Sequence, residues 1–346
     1  MINYRLTFRN STNGTGVYYS GFGLNIANMQ VDWSLSSANL SYTMASLPNL
    51  NKFNANINNL PFNTSFANFF RYANKINNID CLSKWNICNV TNVDNMFLNC
   101  FYMNYYTHLD SWDTSNIINF CNMFSYCSML TILYINDWNM INAQDCSFMF
   151  YQDSRLNTIT NIDNWDVGNV TNFSSMFYNT NACNNKLYNW DVSSGVNFSS
   201  MFGNCRNMIS LNFSKWDMSN ATNLYYMFGY CNKLKTLDFS DWNVKKVYNL
   251  SSMFSHCNNL SNLNIVNWNV PNVTSLSYMF SYCNNLTVNI LQDLAKMCLT
   301  AINVTYKNLM NTSTYSPLYS SNKQINSTTV GQDLITQLQS AGWTTN

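Results

Sequence analysis

Apolar residues along this chain follow a pattern that repeats about every 26 residues. Tryptophans mark the repeats, and each is followed eleven residues later by a Met-Phe pair, as Trp242 is by Met253 and Phe254. A unit of this size cannot bury its own apolar face, so neighbouring units have to cover one another. The pattern therefore predicts a stack of similar coils. The eight tryptophans are Trp85, Trp112, Trp138, Trp165, Trp190, Trp216, Trp242 and Trp268.

Each repeat has two halves with different periods. Before Trp242, the apolar residues Leu234, Leu237 and Phe239 have leucine-rich-repeat spacing, in which a short strand is followed by a turn. After the tryptophan, apolar residues recur at spacings of three and one, which predicts a helix of one to two turns capped by a threonine such as Thr222. The predicted fold class is a repeat solenoid with a short parallel strand and a short helix in each coil.

The composition divides the chain into three parts. Residues 1–54 have alternating apolar positions and several glycines, and are predicted to be a β-rich lead-in that docks or caps the repeats. Residues 55–290 form the predicted solenoid, with a degenerate first coil at 55–84 and about eight Trp/Met-Phe repeats. Residues 291–346 are a predicted C-terminal cap and tail. A longer helix is predicted over 290–302, and a short amphipathic stretch over 331–343.

Composition and charge narrow the class of partner. The chain has 47% hydrophobic and 10% charged residues and a net charge of +1, so nothing in it attracts a polyanion, and nucleic acid is not an expected partner. No stretch is long and apolar enough for membrane insertion. All 16 acidic residues are aspartates, and asparagine is very frequent. Asparagine suits repeated turns and ladders of amide hydrogen bonds, and nucleotide bias in the coding sequence is an alternative explanation.

Chemistry-bearing residues give little support for catalysis. His108 and His256 have no neighbouring nucleophile, acid pair or ligand spacing, so no enzyme activity, cofactor or metal is predicted. In six of the eight repeats a cysteine follows four residues after the methionine, which predicts an inward-facing column of buried free thiols. Six cysteines occupy this position: Cys100, Cys127, Cys205, Cys231, Cys257 and Cys283.

The residues between the strand leucines are predicted to line an ordered face that binds a partner. This face is polar and close to neutral, which suits a carbohydrate or a neutral protein surface, and a merely solvated face is the alternative. The tyrosines offer contact area at low entropic cost. The candidate ligand face consists of Tyr105, Tyr106, Thr131, Tyr134, Asn212, Lys235, Asp238, Asn262 and Asn264.

Two stretches carry a family resemblance. The text WDVGNVTNFSSMF at 165–177 and the text CNKLKTLDFSDW at 231–242 resemble the BspA-like leucine-rich repeat of bacterial surface proteins, over about residues 85–290. The resemblance implies a repeat fold with a binding function. Repeats of this family occur in adhesins that bind host proteins, in mycoplasma surface proteins, in protists and in viruses.

The start of the chain has no apolar segment typical of a secretory signal, which favours a protein made in a host cytoplasm. The function predicted first is therefore a phage virion component, such as a tail fibre, tail accessory or head decoration. Its partners would be other virion proteins or a host-surface protein or glycan, and fibre-like use would predict a homo-oligomer. The alternative is a bacterial cell-surface adhesin that binds host proteins or glycans.

Overall fold

The computed structural model describes residues 3–8, 28–33, 39–57, 60–104, 109–182, 187–286, 290–304 and 332–342. They belong to two compact units, each described by itself. The first unit comprises residues 1–170 and 176–182, and the second comprises residues 171–175 and 183–346. Within the described residues, no helix has the length and apolar character needed to cross a membrane.

The strands of the first unit are short and parallel. Paired strands lie about one repeat apart in sequence, so each pair joins equivalent positions of successive coils. β1, β2 and β3 form one sheet in that order, β4 pairs with β5, and β6 pairs with β7. The strands are β1 (Asn3–Phe8), β2 (Asn28–Trp33), β3 (Lys52–Asn56), β4 (Thr64–Ser65), β5 (Val90–Asn92), β6 (Ile132–Leu133) and β7 (Thr158–Ile159). Two 3₁₀-helices cover Asp80–Lys84 and Ile162–Asn164. The predicted short parallel strands are thus present, and the functional division at residue 54 remains a prediction.

The described residues of the second unit include a parallel strand pair and two helices. β8 (Thr236–Asp238) pairs in register with β9 (Asn262–Asn264). The predicted longer helix is confirmed as α1 (Ile290–Thr300), and α2 (Gln332–Ser340) packs near it. The Thr300 hydroxyl accepts a hydrogen bond from the Val270 amide at 2.9 Å, which ties α1 to the last repeat.

The second half of each coil is a ribbon of turns, and the prediction of a short helix in each coil is wrong for the described residues. Around Phe97, every second N–H closes a turn on the carbonyl three residues earlier. The N–H groups between them donate to the next coil, as Phe97 does to the Met123 carbonyl at 2.9 Å. Asn95 and Asn99 have φ angles of 54° and 60°, and left-handed residues at every fourth position interrupt a right-handed helix. Thr222 accordingly caps no helix, and its hydroxyl donates to the Val196 carbonyl at 3.2 Å.

The Met-Phe pairs form the core of both units. Their phenyl rings stack coil upon coil: in the first unit Phe97 and Phe124 have ring centroids 5.5 Å apart, and in the second unit Phe228 and Phe254 are 5.8 Å apart. These four rings are fully buried. Several tryptophan indoles also link coils, because the Nε1–H donates to a backbone carbonyl of the preceding coil, as Trp112 does to Leu82 at 2.8 Å. Apolar burial and these indole hydrogen bonds together bind each coil to its neighbour.

The abundance of asparagine has a structural role. Seven residues after Trp216, the Asn223 side-chain oxygen accepts the Tyr225 amide at 3.0 Å, and the Asn223 backbone bridges in parallel to Asn197 and Asn249. Asn220, four residues after Trp216, donates its side-chain amide to the Ser193 carbonyl at 2.8 Å in the preceding coil. Asparagine thus both closes turns and joins coils, as the interpretation from turn chemistry and amide ladders predicted.

Candidate binding groove

A groove with a volume of about 680 Å³ lies over the strand side of the second unit. Its floor is apolar and consists of Leu211, Phe213, Leu237 and Trp242, which are all buried. Polar side chains surround this floor. The remaining lining residues are Tyr188, Ser210, Asn212, Ser214, Thr236, Asp238, Ser240, Asp241, Asn262 and Asn264. An apolar floor with a rim of hydroxyl, amide and carboxylate groups is the usual composition of a ligand site.

At the groove, two successive coils lack two of the hydrogen bonds that join the next two coils. Between the next two coils, the Phe239 amide donates to the Asn264 carbonyl at 2.9 Å and the Trp268 indole donates to the Phe239 carbonyl at 3.1 Å. One coil earlier, no hydrogen bond joins Phe213 to either Asp238 or Trp242 in the described structure. The Trp242 Nε1–H is buried there without a hydrogen-bond partner. The coils meet again at the Lys235 amide, which donates to the Ile209 carbonyl at 3.1 Å.

Two phenylalanines in succession coincide with these missing hydrogen bonds. Phe213 and Phe239 occupy the same position, three residues before a tryptophan, whereas the next coil has Ile265 there. The rings of Phe213 and Phe239 are 5.5 Å apart and inclined by 40°, whereas the stacked rings of Phe228 and Phe254 are inclined by only 3°. We expect a second bulky ring at this position to be accommodated by a small shift of the backbone, as overpacked cores do. The coils are joined again where Phe239 is followed by the smaller Ile265.

The rim of the groove carries negative charge. Asp238 and Asp241 are both exposed, and no lysine, arginine or histidine is among the lining residues. One oxygen of Asp238 accepts the Ser240 amide at 3.0 Å. Lys215 is close by but is held elsewhere, since its ammonium group donates to the Asn189 side chain at 2.9 Å and lies 5.2 Å from the centre of the Tyr188 ring. The groove therefore presents carboxylates that are not neutralised by a lining cation.

The structure brings four of the predicted ligand-face residues together. Asn212, Asp238, Asn262 and Asn264 all line the groove. Lys235 is exposed but precedes β8 and does not line it.

The other candidates lie elsewhere. Thr131 and Tyr134 flank β6 in the first unit, where Thr131 is half-buried and Tyr134 exposed. Tyr105 and Tyr106 lie outside the described residues. A binding role for any of these positions remains a prediction.

Sequence reasoning missed the aromatic and acidic part of the groove. Tyr188, Phe213, Trp242 and Asp241 line it, yet none of them lies between the strand leucines. The repeat pattern assigns Phe213 and Trp242 to the core, and both are indeed buried. The available signal was the succession of Phe213 and Phe239, where other repeats have a smaller residue in one of the two coils.

Among the residues that the structure describes, the titratable groups outside the groove form no recognisable catalytic set. The predicted thiol column is present, and its members are free and buried, as for Cys257, whose thiol donates to the Phe228 carbonyl at 3.0 Å. Burial raises the pKa of Cys257 to about 12, so this thiol is not a nucleophile at neutral pH. His256 is stacked between Tyr230 and Tyr282, with ring centroids 4.0 and 4.2 Å away, and burial lowers its pKa. In the part of the chain that is described, no group of three or more His, Cys or Asp side chains is arranged to hold a metal ion.

Comparisons with known proteins place these features in context. A family model described as "Mycoplasma protein of unknown function, DUF285" matches residues 25–107, 102–211 and 196–313. Among solved structures, the chain is similar to a leucine-rich repeat protein from Eubacterium ventriosum, with 14% identity, coverage of 76% of this chain and 72% of that chain, and a TM-score of 0.39. It is also similar to a leucine-rich repeat protein from Bacteroides ovatus, with 12% identity, coverage of 76% and 69%, and a TM-score of 0.38. A search of curated proteins gave no match.

Proposed function

The chain belongs to the family described as Mycoplasma protein of unknown function, DUF285, and from this premise we propose that it is a non-enzymatic binding protein. Its repeats are of the BspA-like leucine-rich type, as their sequence predicted. We propose that each unit is a solenoid of stacked coils and that the second unit recognises a partner protein through the groove over β8 and β9. The solenoid then serves as a rigid support for that surface.

The observation that carries this proposal is the groove itself. Its volume of about 680 Å³ falls within the range of about 300–1,000 Å³ that is usual for ligand sites. Its rim contains Asn212, Asp238, Asn262 and Asn264, the same polar positions that the repeat pattern assigns to a binding face. A groove with an apolar floor offers hydrophobic contact, and the polar rim offers orientation.

The residues of the groove support binding in preference to catalysis. The acidic residues that line the groove are Asp238 and Asp241. Neither cysteine nor histidine is among the lining residues. Covalent catalysis needs a nucleophile that is activated by an adjacent base, and in the described structure no lining serine hydroxyl donates to a lining carboxylate.

The groove does not distinguish between the two predicted locations of the protein. The predicted place in a phage virion remains a prediction, as does the alternative at a bacterial cell surface. The family description refers to Mycoplasma proteins, which are bacterial, and we propose the bacterial cell surface as the location of the binding function. Detection of the chain by a specific antibody on intact cells would agree with this location. Recovery of the chain with purified phage particles would instead support the predicted place in a virion.

A binding experiment on the full chain tests the proposed function. The wild type and an Asn262→Arg variant, which places a bulky side chain at the groove, are compared on an array of immobilised extracellular host proteins and glycans. We expect the variant to lose at least about tenfold in affinity for any protein that the wild type binds. Val196→Arg alters an exposed residue of the same unit that does not line the groove, and it serves as the control. Equal binding by all three proteins would contradict the proposal. Loss of binding in Tyr134→Arg alone would move the function to the first unit.

A further inference from the structure

We infer that the occupant of the groove is an extended polypeptide segment of the partner that carries a lysine or arginine. This inference rests on the proposed function and adds the chemistry of the ligand. Its two grounds are the unjoined backbone beside the groove and the uncompensated charge on its rim.

A backbone N–H on one side of the groove and a backbone carbonyl on the other are not bonded to each other, so both can pair with an added strand. In the following coil pair, the Phe239 amide donates to the Asn264 carbonyl, and the equivalent groups one coil earlier are the Phe213 amide and the Asp238 carbonyl. No hydrogen bond joins these two groups within the described structure. An extended chain presents carbonyl and N–H groups in alternation, so it can accept from Phe213 and donate to Asp238 in succession. A neutral sugar lacks that regular alternation.

The separation also provides the apolar contact that an inserted segment needs. Phe213 and Trp242 have ring centroids 5.5 Å apart at an angle of 75°, an edge-to-face arrangement, and both residues line the groove. Side chains of an extended segment alternate between two faces. Those directed at this floor would be apolar, and those directed outward would meet the polar rim.

Charge selects among extended segments. Asp238 and Asp241 lie three residues apart at the end of β8, both exposed and both lining the groove. Asp238 keeps one carboxylate oxygen outside its 3.0 Å hydrogen bond to the Ser240 amide. A basic side chain placed between these carboxylates forms charge-assisted hydrogen bonds, whereas an acidic one is repelled.

A positional-scanning library of blocked hexapeptides, titrated calorimetrically against the full chain, tests the occupant. Each position is fixed in turn as lysine, norleucine or glutamate within an alternating Val/Thr background. We expect binding to be strongest with lysine at one position, about tenfold weaker with norleucine there and weaker still with glutamate. Asp241→Asn should weaken the lysine peptide by a similar factor and leave the norleucine peptide unchanged, which isolates the charge pair. Equal affinity for lysine and norleucine peptides at every position would overturn the inference that the bound segment carries a basic side chain.

A second arm separates failure of the occupant from failure of the groove. Chitotetraose is titrated as a neutral saccharide probe against the wild type and Asn262→Arg. Saccharide binding that Asn262→Arg abolishes, with no binding of any peptide, overturns the polypeptide occupant and leaves the proposed groove function intact. Peptide binding that persists unchanged in Asn262→Arg overturns the groove as its site. If no probe binds, and Asn262→Arg also matches the wild type on the protein array, both the inference and the proposed function fail.

Discussion

The side chain of Asp153 occupies the place in its coil that Cys127 occupies one coil earlier, and both are fully buried. Each follows four residues after the methionine of a Met-Phe pair. The Cys127 thiol donates to the Phe97 carbonyl at 3.2 Å, whereas neither carboxyl oxygen of Asp153 has a hydrogen-bond partner. Burial raises the pKa of Asp153 well above its usual value, and the nearby Cys127 backbone opposes this rise although it lies outside hydrogen-bond geometry. The first unit thus tolerates an acid that it does not satisfy.

Replacement of this acid by the residue of the other coils should stabilise the chain. We expect Asp153→Cys to raise the free energy of unfolding at pH 7 by about 1–3 kcal/mol, the usual cost of an unsatisfied buried polar group. Because folding raises the Asp153 pKa, the folded chain binds more protons than the unfolded chain above the unfolded pKa of about 3.9. The free energy of unfolding of the wild type therefore falls as pH rises from the unfolded pKa towards the raised folded pKa of Asp153. The variant should lack this decline.

Urea unfolding at pH 4.5 and pH 7.5 measures both effects. Asp113→Asn is the matched control, because Asp113 is exposed and accepts the Ser115 amide at 3.1 Å, as asparagine does at the same position of other repeats. We expect that control to change stability little at either pH. Equal pH dependence of the wild type and Asp153→Cys would show that the carboxyl is not buried in the folded chain.

The thiols should divide into two classes by reactivity. Most described cysteines are buried, whereas Cys88 and Cys121 are half-buried. Burial also raises the pKa of Cys121, so we expect Cys88 and Cys121 to be the described cysteines that iodoacetamide modifies in the folded chain, and Cys121 to react slowly. Peptide mass spectrometry identifies the modified sites, and the same reaction in urea should label all 12 cysteines. Rapid native labelling of Cys257 would contradict the inward-facing column.

The core of the fold could be predicted from the sequence because burial repeats at fixed offsets. Phe228, Phe254 and Cys257 lie in buried columns as their spacing indicates. The helices could not be excluded in this way, because a ribbon of turns places its apolar residues at spacings that a short helix also gives. The difference lies in left-handed residues such as Tyr226, with φ of 55°, and tyrosine carries no signal for that conformation.

The groove was predictable only in part for a related reason. A repeat pattern describes the average coil, so it predicted that the equivalent polar positions Asn212 and Asp238 lie on the same face. The groove coincides with a departure from the average, the inclined pair of Phe213 and Phe239. Whether two large rings fit between coils is a question of packing volume, and side-chain identity alone does not answer it.

Asn223, whose backbone bridges to Asn197 and Asn249, offers a test of the role assigned to asparagine. Asn223→Ala removes the side-chain oxygen that accepts the Tyr225 amide, so we expect a loss of about 1 kcal/mol in the free energy of unfolding. Asn223→Asp keeps the acceptor, and aspartate occupies the equivalent position as Asp145, where it accepts the Ser147 amide at 2.8 Å. The aspartate variant should therefore retain most of the stability in chemical denaturation. If both variants lose the same free energy, the oxygen is not the stabilising group.

The separation of coils at the groove should depend on the Phe213 ring. Phe213→Ile removes one of the two successive rings, so that a smaller residue precedes Phe239 as Leu187 precedes Phe213, where the Trp216 indole donates to the Leu187 carbonyl at 2.9 Å. We expect the Trp242 Nε1–H and the amide at position 213 to gain hydrogen bonds, because both lack the partners that their equivalents have one coil later. Those new bonds offset the apolar area that the smaller side chain no longer buries, so the net change in stability should be small.

Two measurements check this expectation. Hydrogen exchange followed by NMR should show slower exchange of the Trp242 indole proton and of the amide at position 213 in the variant. Phe254→Ile, which shortens a buried ring in a regular stack, gains no compensating bond and should lose about 1–3 kcal/mol in thermal unfolding. A similar loss in Phe213→Ile, with unchanged exchange at both protons, would mean that the ring does not separate the coils. The groove would then have to arise from the backbone between Ile209 and Ser214, and the peptide titrations would show whether Phe213→Ile leaves it open.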